Sequence, residues 1–152
     1  MGDLGAIFFN GCLGAALLAW IVAQGLKIPI HRLTHHEWDA HQFFSPGGMP
    51  SSHSAMMVAV TLMAGAKAGF DSPVFAIACV SAAIVMYDAA GVRRETGRQG
   101  QAINDILAKV LVDGKPISDE ELKEIVGHSP LEVLMGAITG LAVALLYLLI
   151  IG

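Results

Sequence analysis

Four long apolar segments dominate this chain of 152 residues and decide most of what it can fold into. They cover residues 4–26, 54–70, 73–90 and 131–151. A helix needs about 20 apolar residues to cross the hydrocarbon layer of a bilayer, with a range of about 17–25. The outer two segments fit this range comfortably, and the middle two are short. The sequence therefore predicts an all-α fold: a polytopic bundle of about four transmembrane helices with short interfacial helices, in a single domain of residues 1–152.

The composition supports a membrane protein and excludes several other classes. Hydrophobic residues make up 55% of the chain and charged residues only 14%, and the mean hydropathy is +0.62. These are too few polar residues to cover a soluble domain, and the excess of acidic over basic residues excludes a basic nucleic-acid binder. Cys12 and Cys79 lie in apolar segments, so they are interpreted as small core residues. The predicted partner is the lipid bilayer, with no nucleic acid.

The placement of charge predicts which way the helices face. Four crossings put both termini and the tight turn at 70–73 on one side of the membrane, and the segments 27–53 and 91–130 on the other. All six histidines and all the basic residues except Lys67 lie on this second side. These basic residues are Lys27, Arg32, Arg93, Arg94, Arg98, Lys109, Lys115 and Lys123. Because cytoplasmic segments carry the excess of Lys and Arg, we expect a multi-pass protein with both long segments in the cytoplasm.

The same topology brings polar residues from distant parts of the chain to one mouth of the bundle. They are Lys27, Arg32, His53, Asp88, Arg93, Arg94, His128 and Glu132. Ser51 and Ser52 precede the second span, where hydroxyls and backbone N–H groups at a helix start favour an anion. This set suits a tetrahedral anion, and two histidines can divide the roles of nucleophile and proton donor in phosphoryl transfer. We expect Asp88 to pair with one of the two neighbouring arginines and to position the other.

Three stretches of the chain carry a resemblance to a known family. They are GMPSSHS at 48–54, YDAAGVRR at 87–94 and GHSPLE at 127–132. Together they resemble the divergent branch of the type-2 phosphatidic acid phosphatase superfamily, which also includes bacterial acid phosphatases and vanadium-dependent haloperoxidases. The resemblance covers nearly the whole chain. It implies a phosphatase that needs neither a metal nor another cofactor.

The resemblance also implies a role for individual residues. For catalysis it implies His128 as the nucleophile, Glu132 as the acid that orients it, and His53 as the proton donor to the leaving group. For phosphate binding it implies Lys27, Arg32, Ser51 and either Arg93 or Arg94. Ser52 stands where the family has glycine. The predicted activity is hydrolysis of a phosphomonoester or pyrophosphate, such as a lipid or polyprenyl phosphate, through a phosphohistidine.

Two other functions remain open at this stage. One is a non-catalytic scaffold or lipid-phosphate-binding protein, because Ser129-x-x-Glu132 is also a capping box that would give Glu132 a purely structural role. The other is a metal-dependent hydrolase or transporter. His31, His35 and Asp39 follow i, i+4, i+8 spacing, so one helix face could present all three to a divalent metal.

Two further patterns predict local structure. Thr34-x-x-Glu37 has the form of a capping box and predicts the start of a short helix after the first span. The pairs Gly65/Gly69 and Gly136/Gly140 predict close helix packing, either within the bundle or between two copies in a homodimer.

Overall fold

The computed structural model describes residues 4–45, 47–110 and 127–151, and these ranges contain helices and no strand. The helices are α1 (Gly11–His35), α2 (Ser52–Ala68), α3 (Pro73–Ala90), α4 (Val92–Val110) and α5 (Pro130–Ile151). Two short 3₁₀ helices, η1 (Leu4–Phe9) and η2 (Ala40–Phe44), flank α1. The all-α prediction is confirmed.

Three stretches of the described chain are long and apolar enough to cross a membrane. They are Gly11–His35, Pro73–Asn104, which begins with α3, and Pro130–Ile151. The predicted second span differs: α2 has 17 residues, a length of about 25 Å against a hydrocarbon layer of about 30 Å. It lies at the centre of the bundle and packs against α1, α3 and α5. Because neighbouring helices enclose it, α2 is the most buried helix and the one least exposed to lipid.

The core of the bundle is built from small side chains. Ala15, Ala19 and Ala23 of α1 pack against Ala55 and Ala59 of α2. Leucines and isoleucines point outward instead, and those on α5 include Leu145, Leu146, Leu149 and Ile150, all exposed. Helices that pack in lipid show this pattern, with small residues inside and large apolar residues outside. Close approach of the backbones holds such helices together.

Gly136 and Gly140 allow α5 to lie directly against α2. A Cβ atom at Gly136 would meet the carbonyl oxygen of Ser51, and one at Gly140 would meet the carbonyl oxygen of Ala55. These contacts run from the start of both helices, so α2 and α5 are parallel. The prediction of close packing at this pair is confirmed, and both glycines are used inside one chain.

The other glycine pair, Gly65/Gly69, shapes the turn between α2 and α3. Gly65 is buried beneath the rings of Phe70 and Phe75, so its missing side chain lets the α2–α3 turn fold back onto α2. Gly69 ends α2 at φ = +96°, a conformation that other residues rarely adopt. Ser72 then caps α3 by accepting from Phe75 N at 3.2 Å, and Pro73 begins it. The predicted helical hairpin is present.

The first long helix differs at both ends from the apolar segment 4–26 seen in the sequence. The helix begins at Gly11, because the Asn10 side chain caps it by accepting from the N–H groups of Cys12 and Leu13. It then continues through Pro29 to His35. Thr34 therefore lies inside α1, where its hydroxyl lies 3.1 Å from the carbonyl oxygen of Ile30, and it does not open a new helix. The extra turns carry α1 past the bundle core.

Candidate functional site

The ends of four helices meet at one end of the bundle. Ser51, before α2, donates its N–H to the carbonyl oxygen of Glu132 in α5 at 3.0 Å. His128, before α5, donates its N–H to the carbonyl oxygen of Ala89 in α3 at 3.2 Å. The last turns of α1 join them through Lys27, which lines a cavity with Glu132. The convergence expected from the topology is therefore formed by backbone contacts between α2, α3 and α5.

Glu132 holds His128 at the start of α5. Glu132 Oε2 lies 3.1 Å from His128 Nδ1, and the His128 side chain is nearly fully buried, with 3% of the residue exposed. A carboxylate at Nδ1 favours the tautomer that carries its proton there, which places the lone pair on Nε2. This is the arrangement that makes an imidazole a nucleophile.

The same carboxylate also caps the helix. Glu132 Oε2 accepts from the N–H of Ser129 at 2.9 Å, and Ser129 Oγ accepts from the N–H of Glu132 at 3.3 Å. This reciprocal pair is a capping box. The two interpretations of Glu132 are therefore compatible, since one oxygen serves both the helix start and the histidine.

A cavity of about 300 Å³ opens beside this pair. It lies between the last turns of α1, the η2 helix, the 48–49 segment and the start of α5. Its lining comprises Lys27, Ile30, His31, Thr34, His35, Gln42, Gly48, Met49, Ser129, Leu131 and Glu132. Lys27 is 2% exposed and its Nζ donates to the carbonyl oxygen of Ser45 at 2.7 Å. The cavity thus joins a buried ammonium to the carboxylate that holds His128.

The serines predicted to bind phosphate are packed into the start of α2. Ser51 and Ser52 are buried, and Ser51 Oγ caps the helix by accepting from the N–H of Ser54 at 3.5 Å and its hydroxyl at 3.1 Å. His53, in the first turn of α2, is half-buried. These residues lie at the correct end of the bundle but not among the residues lining the cavity. Their roles toward phosphate stay predictions.

Of the three predicted arginines, Arg32 is the one whose side chain the structure describes, and it lies away from the cavity. Arg32 is five residues after Lys27, so a 3.6-residue repeat turns it about 140° away around α1, and it does not line the cavity. Asp88 is half-buried near the end of α3. Arg93 and Arg94 begin α4, and their side chains lie outside the described part of the structure. The choice between these two arginines stays open.

The predicted metal-binding face is not formed. α1 ends at His35, and His36 follows in the left-handed conformation with φ = 61°. Asp39 instead begins η2, where its carboxylate accepts from the N–H of His41 and the Gln42 amide, both at 2.9 Å. Within residues 4–45, 47–110 and 127–151, no group of three His, Cys, Asp or Glu side chains is placed to hold a metal. The metal-binding face predicted from the i, i+4, i+8 spacing is wrong because α1 does not reach Asp39.

Two residues of the cavity wall have no role in the predictions made from sequence. His31 and Gln42 line it, whereas the predictions gave neither a role toward phosphate. His31 follows Lys27 at i+4, so it shares the Lys27 face of the helix once α1 is known to continue through Pro29. The length of α1 was the missing information.

Comparisons with known proteins agree with these observations. Residues 8–143 match the model of the family described as the Divergent PAP2 family. The chain is also 37% identical over 150 residues to the uncharacterized membrane protein YuiD of Bacillus subtilis (strain 168), and the match covers 90% of this chain and 92% of that protein. No solved structure gave a significant match.

Proposed function

The chain belongs to the divergent PAP2 family, and from this membership and the site geometry we propose that it is a membrane-embedded, metal-independent phosphatase. Its substrate would be a phosphomonoester or pyrophosphate carried on a lipid or polyprenyl chain. The observation that supports this most is the buried His128–Glu132 pair at 3.1 Å, next to a cavity that also contains the buried Lys27 ammonium.

The proposed reaction has two steps. His128 Nε2 attacks phosphorus, the bond from phosphorus to the alkoxide oxygen breaks, and His53 donates a proton to that oxygen. Water then attacks the phosphohistidine and loses a proton to His53, which releases phosphate and regenerates both histidines. Glu132 keeps the His128 ring in position and stabilises the positive charge that develops on it.

Lys27 would neutralise the charge on the phosphoryl oxygens. One well-placed donor in a site that excludes water contributes about 3–4 kcal/mol to transition-state stabilisation. Lys27 is suited to this role because it is 2% exposed and its Nζ is held by the Ser45 carbonyl. Ser51, Ser52 and Arg93 or Arg94 are proposed as further phosphate ligands from the family motifs, with Asp88 in support. Arg32 lies on a face of α1 that is turned away from the cavity.

The surroundings of the cavity favour an amphiphilic substrate. Leu131 lines the cavity and is 60% exposed, and Leu33 and Trp38 nearby along the chain are 77% and 72% exposed. A phosphoryl head group in the cavity would leave its hydrocarbon tail among apolar side chains of this kind. Transfer of such a tail from water would contribute about 0.8 kcal/mol for each buried CH₂.

The direct test is phosphate release from a panel of lipid phosphates by purified protein. We expect release to continue in EDTA, because no metal takes part in either step. Orthovanadate should inhibit it, since vanadate adopts the five-coordinate geometry of the attacked phosphorus. Activity that disappears in EDTA and returns with zinc would contradict the histidine mechanism.

The burial of His128 favours a second candidate, a lipid-phosphate-binding protein without turnover. A nucleophile must be reached by phosphorus, and His128 is 3% exposed. The same panel separates the two functions: binding of lipid phosphates with no phosphate release from any of them would establish the non-catalytic protein.

We also propose that the cavity faces the cytoplasm, because the basic residues lie on that side of the predicted topology. His41 near the cavity and Asp71 in the α2–α3 turn are exposed. In a background with Cys12 and Cys79 replaced by alanine, His41→Cys should react with an impermeant maleimide only after the membrane is opened. Asp71→Cys should react in intact cells, and the reverse pattern would invert the orientation.

A further inference from the structure

Two histidines that the proposed reaction does not use share the wall of the cavity. His31 and His35 lie one turn apart on α1, and their ring centroids are 4.3 Å apart with a tilt of 40°. Both line the cavity that contains Lys27 and Glu132. His128 and His53 do not line it. His31 and His35 therefore lie apart from His128, whereas Glu132 lines the cavity and also contacts His128.

The tautomer of His35 follows from its neighbours. Thr34 Oγ1 lies 3.1 Å from the carbonyl oxygen of Ile30 and 3.2 Å from that of His31, so the single hydroxyl proton is directed to these carbonyls. The hydroxyl oxygen can then accept from His35 Nδ1 at 2.8 Å. In the neutral ring this places the proton on Nδ1, so Nε2 becomes a donor only when the ring is protonated.

Besides the two histidines, the cavity lining contains one basic and one acidic side chain. Lys27 contributes a positive charge and Glu132 a negative one. The C-terminal end of α1 carries a partial negative charge that disfavours an anion, whereas the N-terminal end of α5, at Ser129 and Leu131, favours one. Protonation of His31 and His35 would therefore decide whether the outer part of the cavity attracts an anion.

On the η2 side, Gln42 connects the cavity to Asp39, an acidic group that does not line it. Gln42 lines the cavity, and its side-chain amide donates to Asp39. That hydrogen bond, together with the one from the His41 N–H, holds the pKa of Asp39 below its usual range. Asp39 thus stays ionised at all pH values where imidazoles titrate, and it contributes a constant charge.

We propose that His31 and His35 form a second oxyanion subsite, which binds a phosphate-type group when the imidazoles are protonated. The proposal deepens the phosphatase assignment, on which its account of the substrate rests. The occupant is a second phosphate of the substrate head group or free phosphate. Gln42 and Thr34 supply neutral polar groups beside it, in a cavity of about 300 Å³.

Binding of inorganic phosphate to the purified full-length protein tests the subsite without any turnover. Imidazoles change charge between about pH 5 and 8. We expect phosphate to bind at least about tenfold more tightly at about pH 5.5 than at about pH 7, because charge-assisted hydrogen bonds replace neutral ones. The double variant His31→Gln/His35→Gln should lose this dependence. His36→Asn should keep it, because His36 is exposed, does not line the cavity, and has a left-handed conformation that asparagine tolerates.

The source of the oxyanion follows from a second measurement. If the subsite holds the second phosphate of the head group, the double variant will have a higher KM for a lipid diphosphate and an unchanged KM for the lipid monophosphate. If it holds free phosphate, the variant will lose inhibition by phosphate equally with both substrates. Phosphate binding whose pH dependence survives the double variant would overturn the subsite. Absence of phosphate release would instead count against the phosphatase and leave the binding result intact.

Discussion

Replacement of His128 by alanine should abolish phosphate release, lowering kcat by at least about 10³-fold. The expected loss is large because His128 forms the covalent bond to phosphorus in the proposed reaction, and no neighbouring group can replace a nucleophile held at 3.1 Å by Glu132. The measurement is phosphate release from the best lipid phosphate of the panel, with wild type and variant purified in the same detergent.

Two controls make this result specific. The variant should retain its helical content and elute as wild type in size-exclusion chromatography, because the His128 backbone N–H, which donates to Ala89, is still present. His36→Asn removes an exposed histidine and should retain wild-type activity. Equal rates for wild type and His128→Ala would remove His128 as the nucleophile.

Replacement of Gly140 by alanine should destabilise the bundle by at least about 3 kcal/mol, the upper end of the usual cost of overpacking. The new methyl group would overlap the carbonyl oxygen of Ala55, which is backbone and cannot swing away. Separation of α5 from α2 would also stretch the Ser51–Glu132 contact and so lower phosphate release. Thermal unfolding in detergent measures the first effect.

Gly25 provides a matched control for the same chemical change. It lies in the interior of α1, and a Cβ atom there would meet nothing within 4 Å. Gly25→Ala should therefore be neutral or stabilise by about 0.5–1 kcal/mol, because alanine loses less conformational freedom in a helix than glycine. Similar losses of stability in the Gly25→Ala and Gly140→Ala variants would show that α2 and α5 do not pack as described.

The end of the bundle where the site lies could be predicted from sequence. Apolar length and the alternation of crossings were enough to bring Lys27, Ser51 and Glu132 to one end, because a helix that crosses a bilayer must emerge on the far side. The capping box at Ser129 and Glu132 could also be predicted, because it is a hydrogen-bond pattern between residues close in sequence. The match of residues 8–143 to the divergent PAP2 family agrees with the resemblance seen in the sequence.

The composition of the cavity could not be predicted, because it depends on tertiary structure. Thr34 and Glu37 match a capping box, but α1 continues through Thr34 to His35, and the Thr34 hydroxyl turns back to the Ile30 carbonyl. The extension places His31 beside Lys27 and turns Arg32 away. It also ends before Asp39, so the predicted metal-binding face is not formed. A capping pattern is local in the sequence, whereas the length of α1 depends on the helices and segments around it.

In the proposed reaction, His128 carries the phosphoryl group during turnover. The most direct measurement is an alkaline quench of the reaction with phosphorus-labelled lipid phosphate, followed by mapping of the label, because phosphohistidine survives base and hydrolyses in acid. We expect acid-labile label on the peptide that contains His128 in the wild type, and no label on that peptide in the His128→Ala variant. Label on a different residue, or turnover without any labelled histidine, would contradict it.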